Sequence, residues 1–169
     1  MSKEKFEKYI MPVSEKMYRY AFSILKDSET AADVVQDCLL KIWNNRKKLA
    51  EIHSPESWAM RIARNQCYDW VKMNRFSLVG EKELSKTDSR SADSELLEND
   101  YKHWLNKIIK SLSEKQQEIF HLREVEEMAY QDIAEILGLS LSEVKVSLHR
   151  TRAKIRLEMQ KIEQYGIAN

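Results

Sequence analysis

The chain has 169 residues, of which 33% are charged and 43% hydrophobic, with three glycines, two prolines and a formal net charge of +1. That length holds one or two small domains, and so few helix breakers in so charged a chain favour an all-helical protein. No run approaches transmembrane length and the opening MSKEKFEKYIMPV lacks an uninterrupted apolar stretch, so neither a membrane span nor a secretory leader is expected.

The near-zero net charge conceals a split. Residues 41–75 carry eight Lys and Arg against three acids, a local +5, and residues 140–156 carry five against one, a local +4. Between them, residues 76–100 carry three against seven, a local −4. Two basic islands around an acidic segment point to two polyanion-binding surfaces.

Apolar residues at helical spacing predict a first helix over 6–26 and a second over 28–44. In the second, DVVQDCLLKIW, the residues Val34, Val35, Cys38, Leu39 and Ile42 form the stripe expected to be buried. Asp33, Gln36, Asp37 and Lys41 lie opposite or flanking, with Leu40 among them and Trp43 at the edge. An apolar residue framed by carboxylates and an amide fits a protein contact with a polar rim, and it equally fits an ordinary exposed leucine. The loop over 44–53 carries Arg46, Lys47 and Lys48, read first as a solvated charge run.

Ser54 as N-cap and Pro55 at the first helical position start a third helix, expected to reach Arg75. Its predicted core side holds Ala59, Met60, Ala63, Cys67, Trp70 and Val71. Trp58, Arg61, Arg64, Asn65, Tyr68 and Lys72 share another side. Cations for phosphates, aromatics for stacking and an amide for base edges suit single-stranded nucleic acid. The competing reading has Trp58 and Tyr68 covering the rim of their own core.

Periodicity stops after Phe76, and residues 76–100 read as a flexible acidic linker that cannot bury enough surface to order itself. It returns at Trp104, Leu105, Ile108, Ile109 and Leu112, after which Ser113 and Gln116 form a capping box for a helix through Leu122. The chain is therefore expected to be all-α: an N-terminal helical domain over 1–75, the linker over 76–100, and a C-terminal helical domain over 101–165.

Residues 130–156, YQDIAEILGLSLSEVKVSLHRTRAKIR, spell a helix-turn-helix. Ile133, Ala134 and Leu137 face inward on a short helix, Gly138 supplies the reversal, and Ser140 with Glu143 caps the next helix. On that helix Leu141, Val144, Leu148, Thr151 and Ile155 are expected to pack inward. Ser142, Lys145, Val146, His149, Arg150 and Arg156 face out, basic yet small enough in places for a groove wall to approach. Val146 among cations fits contact with a thymine methyl.

Cys38 and Cys67 lack metal or redox spacing and fall on apolar sides, so buried thiols in a reducing, cytoplasmic setting are expected. The four histidines are far apart, so no metal site is expected, and no motif implies a cofactor. No P-loop, zincin motif or nucleophile–base spacing is present, which argues against an enzyme.

Over nearly its whole length the sequence resembles the extracytoplasmic-function group of bacterial sigma factors. The resemblance rests on DVVQDCLLKIW, on WAMRIARNQCYDWVKMNR and on the C-terminal helix-turn-helix, in that order around a linker. It implies a region 2-like bundle and a region 4-like helix-turn-helix domain. It implies that Asp33, Gln36, Asp37, Leu40, Lys41 and Trp43 bind the clamp helices of core RNA polymerase, with the polymerase flap as a further contact. The loop residues Arg46, Lys47 and Lys48, with Trp58, Arg61, Arg64, Asn65, Tyr68 and Lys72, are implied to melt and read the −10 element. Ser142, Lys145, Val146, His149, Arg150 and Arg156 are implied to read the −35 element, while Tyr130 and Gln131 touch its backbone. Promoter DNA and an anti-sigma factor are the other implied partners, and no membrane insertion is expected. Val146 and Ser147 replace a serine and an arginine frequent in the family, so a relative's −35 sequence does not carry over. A free-standing helix-turn-helix regulator is the alternative, but it leaves the Trp58 and Leu40 faces unused.

Overall fold

A capping serine and a proline set the start of the longest N-terminal helix, and the computed structural model follows them. The Ser57 amide donates to Ser54 Oγ at 3.2 Å, and helix α4 runs Pro55–Leu78. The structure describes residues 3–47, 51–78 and 96–164, the side chains of 75–78 and 96–100 excepted. Lys48 and positions 79–95 of the expected linker lie outside the described residues. Helical backbone reaches into both ends of that expected linker, since α4 continues to Leu78 and α5 starts at Leu96.

Every regular element among the described residues is helical. Before α4 come α1 (Lys3–Tyr9), a 3₁₀ turn (Met11–Val13), α2 (Ser14–Leu25) and α3 (Ser28–Asn44). After it come α5 (Leu96–Lys110), α6 (Glu114–Phe120), a π turn (His121–Val125), α7 (Tyr130–Leu137) and α8 (Leu141–Gln164). The chain is all-α.

The single helix expected over 6–26 is broken. Pro12 lacks the amide that an uninterrupted helix needs, and the chain makes a 3₁₀ turn there before α2 begins. Lys26 then ends α2 in the left-handed region at φ 58°, and the Asp27 side chain caps α3 by accepting from the Thr30 amide at 2.7 Å. These hydrogen bonds hold the Asp27 carboxyl below its ordinary range. The capping box of α6 forms in both directions: Ser113 Oγ accepts from the Gln116 amide at 3.3 Å, and Gln116 Oε1 accepts from the Ser113 amide at 3.1 Å.

Two compact units result. One takes α1–α4 together with residues His121–Leu141; the other takes α5, α6 and α8 from Ser142 on. In the first, α2, α3 and α4 pack on one another and α4 packs on α7. Ile10, Met17, Tyr20, Ala21, Ala31, Cys38, Ile42, Ala59, Met60, Ala63 and Cys67 are fully buried there. Each large side chain among them contributes about 1.5–3 kcal/mol on leaving water. In the second unit Ile108, Leu112, Ile119, Val144, Leu148 and Met159 are buried, and Lys154 Nζ donates to the Ser111 carbonyl at 3.2 Å.

Several apolar side chains depart from the expected pattern, and Leu39, Val71 and Ile155, read as inward, are half-buried. Trp70, read as core, is 37% exposed, because no described residue of α4 after Cys67 is buried. Leu141, read as inward, is 36% exposed at the first position of α8, ahead of the buried stripe that starts at Val144. On α7 Ile136 is buried while Leu137 is half-buried.

Candidate nucleic-acid interface

The α3 surface is built by helix periodicity. Val34, Val35, Cys38 and Ile42 turn inward, so Asp33, Gln36, Asp37, Leu40 and Lys41 are left exposed, with Leu40 57% accessible. Burial raises the Cys38 thiol to about 11, so it behaves as a small apolar group. Lys41 Nζ donates to Gln66 Oε1 on α4, which steadies the polar rim around Leu40. Trp43 is half-buried, its ring edge-on to Phe6 with centroids 5.1 Å apart.

Arg46 joins this surface to the next. Its guanidinium lies 4.5 Å from the Trp43 ring centroid and donates to the Trp43 carbonyl at 3.0 Å. A residue expected to touch DNA thus stacks on one expected to touch protein. Lys47 is exposed beside it.

On α4, Ala59, Met60, Ala63 and Cys67 are fully buried, which aims Arg61, Asn65 and Lys72 at solvent and leaves Trp58, Arg64 and Tyr68 half-buried. The Arg64 guanidinium sits 4.8 Å from the Tyr68 centroid. Trp58 and Tyr68 thus lie partly against the core rim and keep part of their rings at the surface.

The turn between α7 and α8 is closed as the glycine implies. Gly138 adopts φ 65° and the Leu139 amide donates to the Ala134 carbonyl at 2.9 Å, a 6→1 closure that a residue with a Cβ adopts only at a cost. On α8 Val144, Leu148 and Thr151 are buried, and Ser142, Lys145, Val146, His149, Arg150 and Arg156 are exposed. Ser142, Val146 and Arg150 line one shallow cleft with Ser113, Lys115 and Gln116 of the same unit. Gln131 is exposed and Tyr130 half-buried on α7.

Two contributors escaped the sequence reading. Gln66 carries no signal beyond its place on α4. Arg123 lies 5.0 Å from the Tyr130 centroid and donates to the Met128 carbonyl at 2.8 Å, so it orients Tyr130 across a π turn that no periodicity announces. Among the described residues no group of His, Cys, Asp and Glu can hold a metal ion, and no helix is long and apolar enough to cross a membrane. Both cysteines are buried free thiols.

Comparison with known proteins matches these elements in order. The family model for Sigma-70 region 2 covers residues 9–76, and that for Sigma-70, region 4 covers residues 102–155. The RNA polymerase sigma factor YlaC of Bacillus subtilis is 29% identical over 151 residues, 87% of this chain and 87% of that one. The ECF RNA polymerase sigma factor SigL of Mycobacterium tuberculosis is 26% identical over 148 residues, 86% of this chain and 84% of that one. Among solved structures, the sigma factor RpoE in complex with the anti-sigma factor NepR from Bartonella quintana aligns with a TM-score of 0.67 at 20% identity. It covers 93% of this chain and 98% of that chain. CnrH in complex with the cytosolic domain of CnrY aligns with a TM-score of 0.62 at 19% identity, over 95% of this chain and 90% of that chain. Both likenesses speak to the fold. With two sigma-70 regions in sequence and relatives matched along most of their length, the chain belongs to the extracytoplasmic-function group of the sigma-70 family, whose members are transcription initiation factors and not enzymes.

Proposed function

We propose that the protein binds core RNA polymerase and directs it to promoters by reading a −35 element and melting a −10 element. Asp33, Gln36, Asp37, Leu40, Lys41 and Trp43 form the polymerase contact. Trp58, Arg61, Arg64, Asn65, Tyr68 and Lys72, with Arg46, Lys47 and Lys48 before them, hold the opened −10 strand. Ser142, Lys145, Val146, His149, Arg150 and Arg156 enter the major groove at −35, with Tyr130 and Gln131 on the backbone. The domain limits that go with this reading are 1–75 and 101–165.

The observation that carries the reading is the α8 face. All six of its expected readers are exposed while Val144, Leu148 and Thr151 are buried, so the helix offers donors and an apolar side chain together. Phosphate contacts would set the register and base contacts the choice of promoter. Because RpoE and CnrH were each solved with a binding partner, an anti-sigma factor is proposed as a further partner of this chain.

Run-off transcription with core polymerase over a promoter library tests the proposal. Initiation at a defined subset of promoters, dependent on the added protein, is the expected result. Transcription that is absent, or indifferent to promoter sequence, would reject it.

A further inference from the structure

Residues 140–156 carry five cations and a single acid, Glu143, and that acid stands among the proposed −35 readers. It lies in the first turn of α8 with its side chain 52% exposed. It lines the same shallow cleft as Ser142, Val146 and Arg150. Helical period explains the grouping: Val146 and Arg150 follow Glu143 by three and seven residues, so all three share one stripe. None of the surfaces proposed for polymerase or promoter uses it.

A carboxylate facing DNA is repelled by phosphates unless a cation accompanies it. Here one does. Lys115 of α6 lines the cleft, and its Nζ lies 3.4 Å from Glu143 Oε1. With both partners 52% exposed, the pair adds little to folding stability. It does hold a compensated negative charge on a face that is otherwise cationic. A carboxylate has about four acceptor sites on its two oxygens, so pairing with one ammonium leaves room for another donor.

The first residues of the second helix in a helix-turn-helix are those that meet base edges. In the major groove guanine presents acceptors alone and thymine an acceptor and a methyl, neither of use to a carboxylate. Adenine sets its amino group beside the N7 acceptor, which suits an amide better. The N4 amino group of cytosine is the donor that a carboxylate selects.

We propose that Glu143 is a base-specificity residue of α8. It selects a cytosine on one strand of the −35 element, and Lys115 offsets its charge against the neighbouring phosphates. The inference rests on the promoter reading and sharpens it. Three residues rise about 4.5 Å along a helix, between one and two base steps of about 3.4 Å, so this cytosine lies within about two base pairs of the base that Val146 meets.

Glu143 also stands three residues after Ser140, where a capping box takes Glu or Gln alike. Glu143→Gln therefore keeps the cap and exchanges an acceptor-only group for the amide that pairs with adenine. Holoenzyme made from the full chain and core polymerase initiates on promoters with a randomised −35 element, each bearing a transcribed barcode that is counted. The wild type should favour cytosine at one −35 position. In Glu143→Gln the ratio of cytosine to adenine there should fall by about tenfold or more, with other positions unmoved and helix content unchanged by circular dichroism. Val146→Ala should alter a position no more than about two base pairs away. Lys115→Met should lower initiation by a similar factor on every sequence and leave the cytosine preference in place. A profile that Glu143→Gln leaves unchanged, or shifts equally at every position, overturns the proposal and makes Glu143 a cap alone. A wild-type profile that discriminates at −35 yet favours cytosine nowhere near the Val146 position overturns it too. A wild-type profile flat at every −35 position would reject the promoter reading itself, and the assignment of Glu143 with it.

Discussion

α4 and α8 are both 24 residues long, both begin at a serine-led cap position, and both turn cations outward, yet they are furnished differently. Two of the cations around α4 lie on rings: Arg64 is 4.8 Å from the Tyr68 centroid and Arg46 is 4.5 Å from that of Trp43. On α8, Lys145, His149, Arg150 and Arg156 are exposed and make no hydrogen bond or ion pair among the described residues. A guanidinium resting on a ring stiffens both, so a base can stack there with little further loss of side-chain freedom. Bare Lys, His and Arg keep every donor for base edges and phosphates. Under the proposed function the first suits an opened strand of varied sequence and the second suits a duplex whose sequence matters.

The largest effect should come from taking away what both helices serve. Leu40→Asp places a charge on the exposed apolar centre of the α3 face and should reduce capture of core polymerase by 100-fold or more, since a desolvated anchor at such a centre contributes about 2 kcal/mol or more and the new carboxylate adds a desolvation cost. Circular dichroism should be unchanged, because Leu40 is 57% exposed and supports no core. Duplex binding by α8 should survive, and its loss would show that the faces are not separable.

Arg150→Ala or Lys145→Ala should divide the two helices. A good base-edge contact is worth about 1–3 kcal/mol, so −35-dependent transcription should fall about 5- to 150-fold. Polymerase capture and initiation on templates already opened at −10 should hold. Trp58→Ala should do the opposite at a smaller scale. With stacking worth about 1–3 kcal/mol per base and the ring half-buried, promoter opening should slow by about tenfold, and a forked template should restore it. Equal sensitivity of both variants to the forked template would erase the distinction drawn between the helices.

What was readable in advance follows the range of the forces involved. Ser54 with Pro55, Ser113 with Gln116, and Gly138 act within four residues, and each helix start or stop they announce is where the chain places it. The outward faces of α3 and α8 were readable because helical period alone assigns them once a core side exists. The break at Pro12 was legible in principle, since a missing amide is a local fact, but the apolar spacing on either side masked it. Trp70 misled because period places it inward while nothing in the sequence says how far along α4 the packing extends. The grip of Arg19 on Glu126 joins residues 107 apart in the chain, and no local pattern encodes such a pairing. Arg123 against Tyr130 was hidden for a related reason: a π turn resets the helical period between them.

One further change should sharpen the contrast by altering the buried side of α8 alone. Thr151 is 1% exposed, and its hydroxyl is the buried side-chain oxygen without a hydrogen-bond partner among the described residues. A hydroxyl withdrawn from water and left unpaired costs about 1–3 kcal/mol, whereas a methyl of the same shape does not. Val in a helix keeps its preferred rotamer, so the loss in helix propensity is only a few tenths of a kcal/mol. Thr151→Val should therefore stabilise the protein by about 0.5–1 kcal/mol, read as a higher urea midpoint with an unchanged slope. The outward readers are untouched by it, so −35 recognition should not move. A lower midpoint would mean that the hydroxyl serves the fold, and altered promoter choice would mean that the inner and outer faces of α8 are not independent.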